Sequence, residues 1–183
     1  MAKRLFDVLL AGMGLLLSWP LLLLLAVWVR LDSPGPALYR QLRVGRGGVP
    51  FRIRKFRTMF VDAGGPPLTV GDDPRITRAG RMLRRTRLDE LPQLYNILRG
   101  DMSFVGPRAW ADYELENYKD WHFRRLEVLP GLTGLAQISG RSALAFDEII
   151  RLDIEYIDNR SMQQDIKIML RTVPVVAAGN NSG

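Results

Sequence analysis

Between Val8 and Val29 the chain reads VLLAGMGLLLSWPLLLLLAVWV, without one charged residue. As a helix this run is about 33 Å long, enough to cross the hydrocarbon of a bilayer once. A buried core helix fits poorly, because the run has no polar face. A cleaved signal peptide also fits poorly, since the run is long and no small-residue cleavage site follows it. RLDSPGP comes next and reads as a stop and a turn. Two features argue against a plain span. Ser18 and Pro20 stand at its midpoint, where proline removes a backbone donor and bends or breaks a helix. Cationic residues also lie on both sides, Lys3 and Arg4 before and Arg30, Arg40, Arg43 and Arg46 after. A straight span would leave one cluster on the wrong side of the membrane. A helix that breaks at Ser18–Pro20 and returns puts both on the cytoplasmic face, with the Ser18 hydroxyl available to carbonyls freed near Pro20. A kinked span and a re-entrant helix both remain open, and the charges favour re-entry modestly.

The remaining sequence, 32–183, is long enough for one domain with its own core, so two units are expected: a membrane helix over 1–31 and a membrane-surface domain after it. There is no cysteine, and His122 is the only histidine, which excludes disulfides, thiolate metal sites and multi-histidine sites. The net charge is +7, and all but Lys3, Lys55, Lys119 and Lys167 of the 26 basic residues are arginines. Arginine's planar fork suits phosphate. The expected partner is polyanionic: a nucleic acid, an anionic membrane or a phosphorylated small molecule. No recognition helix or stacking platform is visible, so nucleic acid is not the expected one.

Alternation around Phe51 and Ile53 predicts a short hairpin about a Gly45–Pro50 turn. DAGGPP and GDDPR are loop signals. Helices are predicted over Thr77–Arg85, from Asp89 to Gly100 with Pro92 in the first turn, over Trp110–Val128, Ala145–Asn159 and Asp165–Val173. Trp110, Tyr113, Tyr118, Trp121 and Phe123 suit a membrane interface and a packed core about equally. The tail AAGNNSG reads as frayed.

Within RTRLDELPQLYNILRGDMSFVGPR, Asp89 and Glu90 are adjacent and bracketed by Arg84, Arg85 and Arg87 before and Arg108 after. Neighbours on a helix point about 100° apart, so the pair shares a cavity only at a helix end or bend. A helix start also supplies free amides and a positive dipole end, which favour phosphate. An ionised carboxylate there can bind Mg²⁺ or attack phosphorus. Taken alone, such a pair is more often a helix cap, and the arginines could simply face lipid headgroups.

Four ordered stretches change that balance: SPGPALYRQLRVGRGGVPFRIRKFRTM, DPRITRAGRMLRRTRLDELPQLYNILRGDMSFVGPR, LPGLTGLAQISGR and LDIEYIDNRSMQQDIKIML. Together with the opening KRLFDVLLA they make the chain strongly resemble the bacterial sugar transferases, the monotopic phosphoglycosyl transferases that open lipid-linked glycan assembly. The resemblance implies an α-rich α/β membrane-associated fold. It would have an N-terminal re-entrant helix–break–helix, with the membrane break at Ser18 and Pro20. A cytoplasmic, mostly helical catalytic domain would follow, with amphipathic interfacial helices and a short β-hairpin. It implies transfer of sugar 1-phosphate from a UDP-sugar to polyprenyl phosphate at the cytoplasmic face of the bacterial inner membrane, with Mg²⁺, giving polyprenyl-diphosphate sugar and UMP. Membrane lipids and downstream glycosyltransferases are further implied partners.

By the same resemblance Asp89 is the nucleophile, forming a phosphosugar–aspartyl intermediate and touching Mg²⁺. Glu90 is its partner, as a base or a second metal contact. Lys55, Arg57, Arg84, Arg85 and Arg108 hold phosphates, and Gln137 and Arg141 shape the nucleotide-sugar side. Tyr156 and Asp158 match a family stretch and are assigned to packing. Two departures stand out: GPRAW replaces the common Gly–Pro–Arg–Pro, and Ser–Trp–Pro replaces Ser–Pro at the break. The chain resembles the minimal catalytic type of the family. The alternative is a membrane-tethered basic binding or adaptor protein without catalysis.

Overall fold

The computed structural model describes residues 2–65, 73–140 and 144–177. Arg141, Pro66 and Pro67, the start of GDDPR and the tail after 177 lie outside the described residues. Helix α1 (Ala2–Asp32) is unbroken and carries Pro20 inside it. The break expected at Ser18–Pro20 is therefore not an interruption of helical structure. Proline removes one backbone bond there, the Ser18 hydroxyl makes no hydrogen bond among the described residues, and the helix continues on both sides.

The buried residues of α1 fall toward its two ends, Asp7 and Ala11 near one and Leu25 and Val29 near the other. Between them Leu16, Leu17, Trp19, Leu23 and Leu24 are exposed. Both ends are fastened to the same body. Arg4 donates to the carbonyls of Ile97 (2.6 Å) and Leu98 (2.8 Å), and Asp7 accepts from the Phe104 amide (3.1 Å). At the other end Asp32 accepts from the Ala79 amide (3.0 Å). Among the described residues α1 is the one helix long and apolar enough to cross a membrane, by length and composition.

Strands β1 (Leu38–Val44) and β2 (Pro50–Phe56) form the expected antiparallel hairpin, with Leu38 opposite Phe56 and Val44 opposite Pro50. The hairpin joins the two ends of α1. Ile53 packs with Ala11, Leu94, Ile97 and Met102, while Phe56 packs with Leu25, Val29 and Leu83. Helix α2 (Arg78–Thr86) starts at Thr77, whose Oγ1 accepts from the Gly80 amide (2.9 Å). Gly80 is required for this packing: a Cβ there would lie 2.0 Å from the Thr58 carbonyl oxygen. A 3-10 turn, Leu88–Glu90, leads through Pro92 into α3 (Gln93–Arg99), which Gly100 ends at φ 94°.

Parallel strands β3 (Ser103–Val105) and β4 (Gly131–Thr133), the short α4 (Leu135–Ile138), α5 (Phe146–Asp158) and α6 (Met162–Ala177) complete the body. A third apolar cluster there holds Val105, Val128, Tyr156, Ile157 and Ile168. Three predicted helices differ. The one expected from Asp89 begins only at Gln93, with Pro92 just before it and Asp89 and Glu90 left in the preceding 3-10 turn. The segment Trp110–Val128 forms 3-10 segments at Asp112–Asn117 and Asp120–Glu127. Each is restarted by a side chain that captures a backbone amide: Glu114 accepts from Ala111, and His122 Nδ1 accepts from Lys119 (3.1 Å). Helix α6 begins earlier than expected because the Ser161 hydroxyl accepts from the Gln164 amide (3.2 Å), and it continues past Pro174.

Candidate active site

The 3-10 turn that carries Asp89 and Glu90 exists because α2 ends abruptly. Arg87 takes up the left-handed region (φ 59°, ψ 14°), and its amide bonds back to the Arg84 carbonyl (3.2 Å). For a residue other than glycine this conformation costs on the order of 1 kcal/mol. The reversal brings both carboxylates against the end of β2, where Lys55 stands. Asp89 and Glu90 are both buried, 7% and 6% exposed.

Their surroundings differ. Glu90 Oε1 accepts from Lys55 Nζ (2.7 Å) and from Arg108 Nη2 (3.2 Å). Burial alone would raise its pKa, but Lys55 and Arg108 outweigh burial and hold the carboxyl well below the usual carboxylate range. Asp89 differs: its Oδ1 is buried and accepts no hydrogen bond among the described residues. Burial, then the charge on Glu90, push its pKa from 3.8 up to about 6, against the pull of Lys55, Arg87 and Arg84. Burial also lowers the Lys55 pKa, and the Glu90 carboxylate works against that. One carboxylate is thus saturated with cations and ionised throughout. The other is desolvated, under-neutralised and open at one oxygen.

The predicted phosphate ligands separate into two groups. Lys55 and Arg108 meet at Glu90, and Arg84 lies close enough to bias Asp89 while its Nε donates to Thr58 Oγ1 (2.9 Å). Arg108 keeps 41% of its side chain exposed, so it can face a ligand while bonded to Glu90. Arg57 is not brought to the site. It is 5% exposed, and its guanidinium donates to Ser33 Oγ (2.6 Å), Ser33 O (2.8 Å) and Pro36 O (2.7 Å), locking the end of α1 to the hairpin. Arg85 is exposed on α2 and exerts no resolved influence on either carboxylate.

Gln137, on α4, is buried with both amide atoms unpartnered, and Arg141 lies outside the described residues. Ser18 is half-buried with its hydroxyl unpartnered, and Pro20 is exposed. Tyr156 is core, its hydroxyl meeting Asp165 Oδ1 (2.7 Å) and Val105 O (3.1 Å), while Asp158 pairs at the surface with Arg124 (2.6 Å). The residue missing from the expected phosphate ligands is Arg87. Its place in the arginine run was visible, but its left-handed backbone was not.

Arg108 is delivered by a tight seam between the Gly106–Pro107–Arg108 turn and β4. The Gly106 amide donates to Thr133 O (3.0 Å), and the Gly131 amide donates to Pro107 O (2.8 Å). A Cβ on Gly131 would sit 2.1 Å from the Gly106 nitrogen, so the backbones meet only because both positions are glycine.

A divalent cation can be tested against these groups. Among the described residues no cluster of three or more histidine, cysteine, aspartate or glutamate side chains could cage a metal. The free buried oxygen of Asp89 suits Mg²⁺, which commonly takes one or two carboxylates and completes its shell with substrate phosphates and water. Glu90, committed to Lys55 and Arg108, suits it less.

Comparison with known proteins establishes the family. The model of the family described as bacterial sugar transferase matches residues 1–179. The chain is 47% identical over 191 residues to the UDP-glucose:undecaprenyl-phosphate glucose-1-phosphate transferase of Caulobacter vibrioides, covering 98% of this chain and 71% of that one. It is 45% identical over 195 residues to galactosyl transferase CpsE of Streptococcus agalactiae, where the match covers 99% of this chain but only 43% of the relative. It is 40% identical over 200 residues to exopolysaccharide production protein ExoY of Rhizobium meliloti, covering 100% of this chain and 88% of the relative. The chain belongs to the bacterial sugar transferase family, whose members are enzymes.

Proposed function

We propose that this chain transfers sugar 1-phosphate from a UDP-sugar to polyprenyl phosphate through a phosphosugar–aspartyl intermediate on Asp89. The observation that carries the reading is the buried, unpartnered Asp89 Oδ1 beside a Glu90 whose charge is matched by Lys55 and Arg108. The Caulobacter relative, a UDP-glucose:undecaprenyl-phosphate glucose-1-phosphate transferase, uses the same class of donor and acceptor. In the first half-reaction Asp89 Oδ1 attacks the phosphorus that bears the sugar. The bond from that phosphorus to the bridging oxygen breaks, and UMP leaves with the electron pair. In the second, an oxygen of polyprenyl phosphate attacks the same phosphorus, and the electrons of the acyl-phosphate bond return to the Asp89 carboxylate.

Lys55, Arg84, Arg87 and Arg108 supply fixed positive charge where phosphate oxygens must lie. Asp89 is the residue that would hold Mg²⁺, which would further neutralise the diphosphate. Glu90 is assigned to positioning: a carboxylate held far below the usual range is a poor base, and its bonds aim Lys55 and Arg108. The covalent step lets a water-soluble donor and a lipid acceptor use one site in turn.

The placement of α1 supports a monotopic arrangement at the cytoplasmic face. A spanning helix carries its ends to opposite sides of the bilayer, whereas both ends of α1 are bonded to one body while the apolar middle stays open. Cysteines introduced by Ala2→Cys and Pro34→Cys are both expected to react with an impermeant reagent from the cytoplasmic side only; labelling from opposite sides refutes re-entry. For the chemistry, UDP-glucose and UDP-galactose are offered with undecaprenyl phosphate and Mg²⁺. UMP release by the wild type, its loss in Asp89→Asn, and a phosphosugar trapped on Asp89 are expected. Turnover by Asp89→Asn, or no adduct on that residue, refutes the assignment.

A further inference from the structure

Behind Arg108 lies a buried group that the reaction as described does not use. Arg125 is 3% exposed, and it is not among the groups that most perturb either carboxylate. Its donors are all directed at protein acceptors. Nη2 donates to the Arg108 carbonyl (2.8 Å) and to Asp153 Oδ2 (2.7 Å), Nε to the same Asp153 oxygen (3.1 Å), and Nη1 to the Tyr118 hydroxyl (2.5 Å). The guanidinium lies over the Trp110 ring, with its central carbon 4.2 Å from the ring centre. Asp153, on α5, is 1% exposed. Arg108, Trp110, Tyr118 and Arg125 also line one small cavity with Pro107 and Pro130.

We infer that Arg125 is a positioning residue, holding the Arg108 backbone so that its guanidinium spans Glu90 and the phosphates of the donor. The inference rests on the proposed transferase reading, which places donor phosphates at Arg108. The seam of Gly106 and Gly131 fixes the turn on its β4 side. On the β1 side the Trp110 carbonyl accepts from the Val44 amide (3.0 Å), and the carbonyl of Arg108 itself is held by Arg125. From there a continuous line runs from Asp153 on α5, through Arg125 and the Arg108 carbonyl, to Arg108 Nη2 at Glu90 Oε1 (3.2 Å). Asp153 neutralises Arg125 locally, so a second buried guanidinium can stand behind Arg108 without repelling it. Only arginine provides this fork: lysine at 125 keeps a charge for Asp153 but cannot serve Asp153, Tyr118 and the Arg108 carbonyl together. The tryptophan that GPRAW places after the turn thereby gains a purpose, since Trp110 is the platform on which the fork rests.

The test is a double-mutant cycle read by two assays: calorimetric binding of UDP with Mg²⁺, and UMP release from UDP-glucose or UDP-galactose. Arg125→Lys and Arg108→Ala are each expected to weaken UDP binding about tenfold or more and to lower UMP release. The double variant is expected to match Arg108→Ala alone, because Arg125 acts through Arg108. Thermal midpoints taken in parallel register the structural cost, which adds across the cycle even when function does not. Tyr118→Phe, which trims one donor contact and keeps the fold's charges, repeats the cycle should Arg125→Lys fail to fold. Independent, additive losses in the double variant overturn the inference while leaving the reaction intact. Wild-type protein that neither binds UDP nor releases UMP overturns the transferase reading itself, and this inference with it.

Discussion

Replacing Asp89 by asparagine should stabilise the fold while abolishing UMP release. Burial and Glu90 raise the Asp89 pKa from 3.8 to about 6. The native state therefore holds this proton more tightly than the unfolded chain does, and ionisation subtracts stability. The penalty is absent below the unfolded value, grows as pH rises between roughly 4 and 6, and is constant above that window. About two pKa units at 1.36 kcal/mol each amount to on the order of 3 kcal/mol. Asparagine keeps the shape of the protonated acid and never ionises. The variant should match the wild type at pH 4 and exceed it at pH 8, by about 6–12 °C in thermal midpoint for a chain of this size. The assay is thermal unfolding across that range in one detergent or nanodisc preparation. It should be run with EDTA, because a cation on native Asp89 would stabilise the wild type by mass action and mask the effect. A variant less stable at pH 8, or a difference that does not change with pH, refutes the claim that this carboxylate is held against its own solvation.

Glu90→Gln should behave oppositely. It strands Lys55 against a buried amide, while the part-exposed Arg108 can turn to solvent, and should cost about 3 kcal/mol at neutral pH. Because the folded Glu90 pKa is depressed, that contribution is present above the unfolded value of 4.5 and is lost as pH falls; chemical denaturation at pH 8 and pH 3 reads it. The first half-reaction needs ionised Asp89, so single-turnover UMP release at limiting Mg²⁺ should drop about tenfold per unit below pH 6, and a flat profile down to pH 5 counts against it. Arg57→Lys should lower the unfolding free energy by about 3 kcal/mol or more, read by chemical denaturation, while leaving the KM for donor unchanged in the folded fraction, since its fork binds Ser33 and Pro36; a selective rise in KM would return Arg57 to the phosphate site.

What the sequence disclosed depended on whether the deciding interaction was local. The hairpin, the Thr77 cap and the Gly100 stop follow from alternation and from residues a few positions apart, and they lie close to where those signals put them. The 3-10 breaks in Asp112–Glu127 also arise locally, but from Glu114 and His122 capturing amides in a way no periodicity announces. Among the site residues, Lys55, Asp89, Glu90 and Arg108 share a motif-level signature and meet in space. Arg57 shares the same KFRTM stretch and does not meet them. Along β2 successive side chains alternate in direction. Continued alternation would leave Lys55 and Arg57 on one face, but the strand ends at Phe56, and past that end Arg57 is drawn to the Ser33 and Pro36 carbonyls at the end of α1. The segregation of α1's buried residues to its ends was hidden for another reason: the run is apolar throughout, and only the partners of Arg4, Asp7 and Asp32 distinguish its two arms.

The adjacency that first drew attention to Asp89 and Glu90 resolves into a division of labour. Two ionised carboxylates in one low-dielectric pocket repel, and the available cations cannot satisfy both equally. Lys55 and Arg108 converge on the same oxygen of Glu90, which leaves Asp89 with longer-range attraction and no hydrogen-bond donor at Oδ1. Had the cations been shared evenly, both groups would be stable, well solvated by donors and chemically quiet. Concentrating them on Glu90 makes that residue a fixed electrostatic anchor and leaves its neighbour poorly stabilised as an anion. Such an oxygen gains most from approaching phosphorus, or a divalent cation that accompanies it. The cost of leaving Asp89 uncompensated and its fitness as a nucleophile are thus one physical fact, and a cycle of Asp89→Glu and Glu90→Asp should show it. Each single swap keeps two carboxylates but displaces one oxygen by a methylene length. Asp89→Glu should lose UMP release by about a hundredfold through misplacement of the attacking atom. Glu90→Asp should lose less, because Lys55 and Arg108 are long enough to follow it. Equal losses from the two swaps would mean that both carboxylates touch the reacting phosphorus, and the division proposed here would fail.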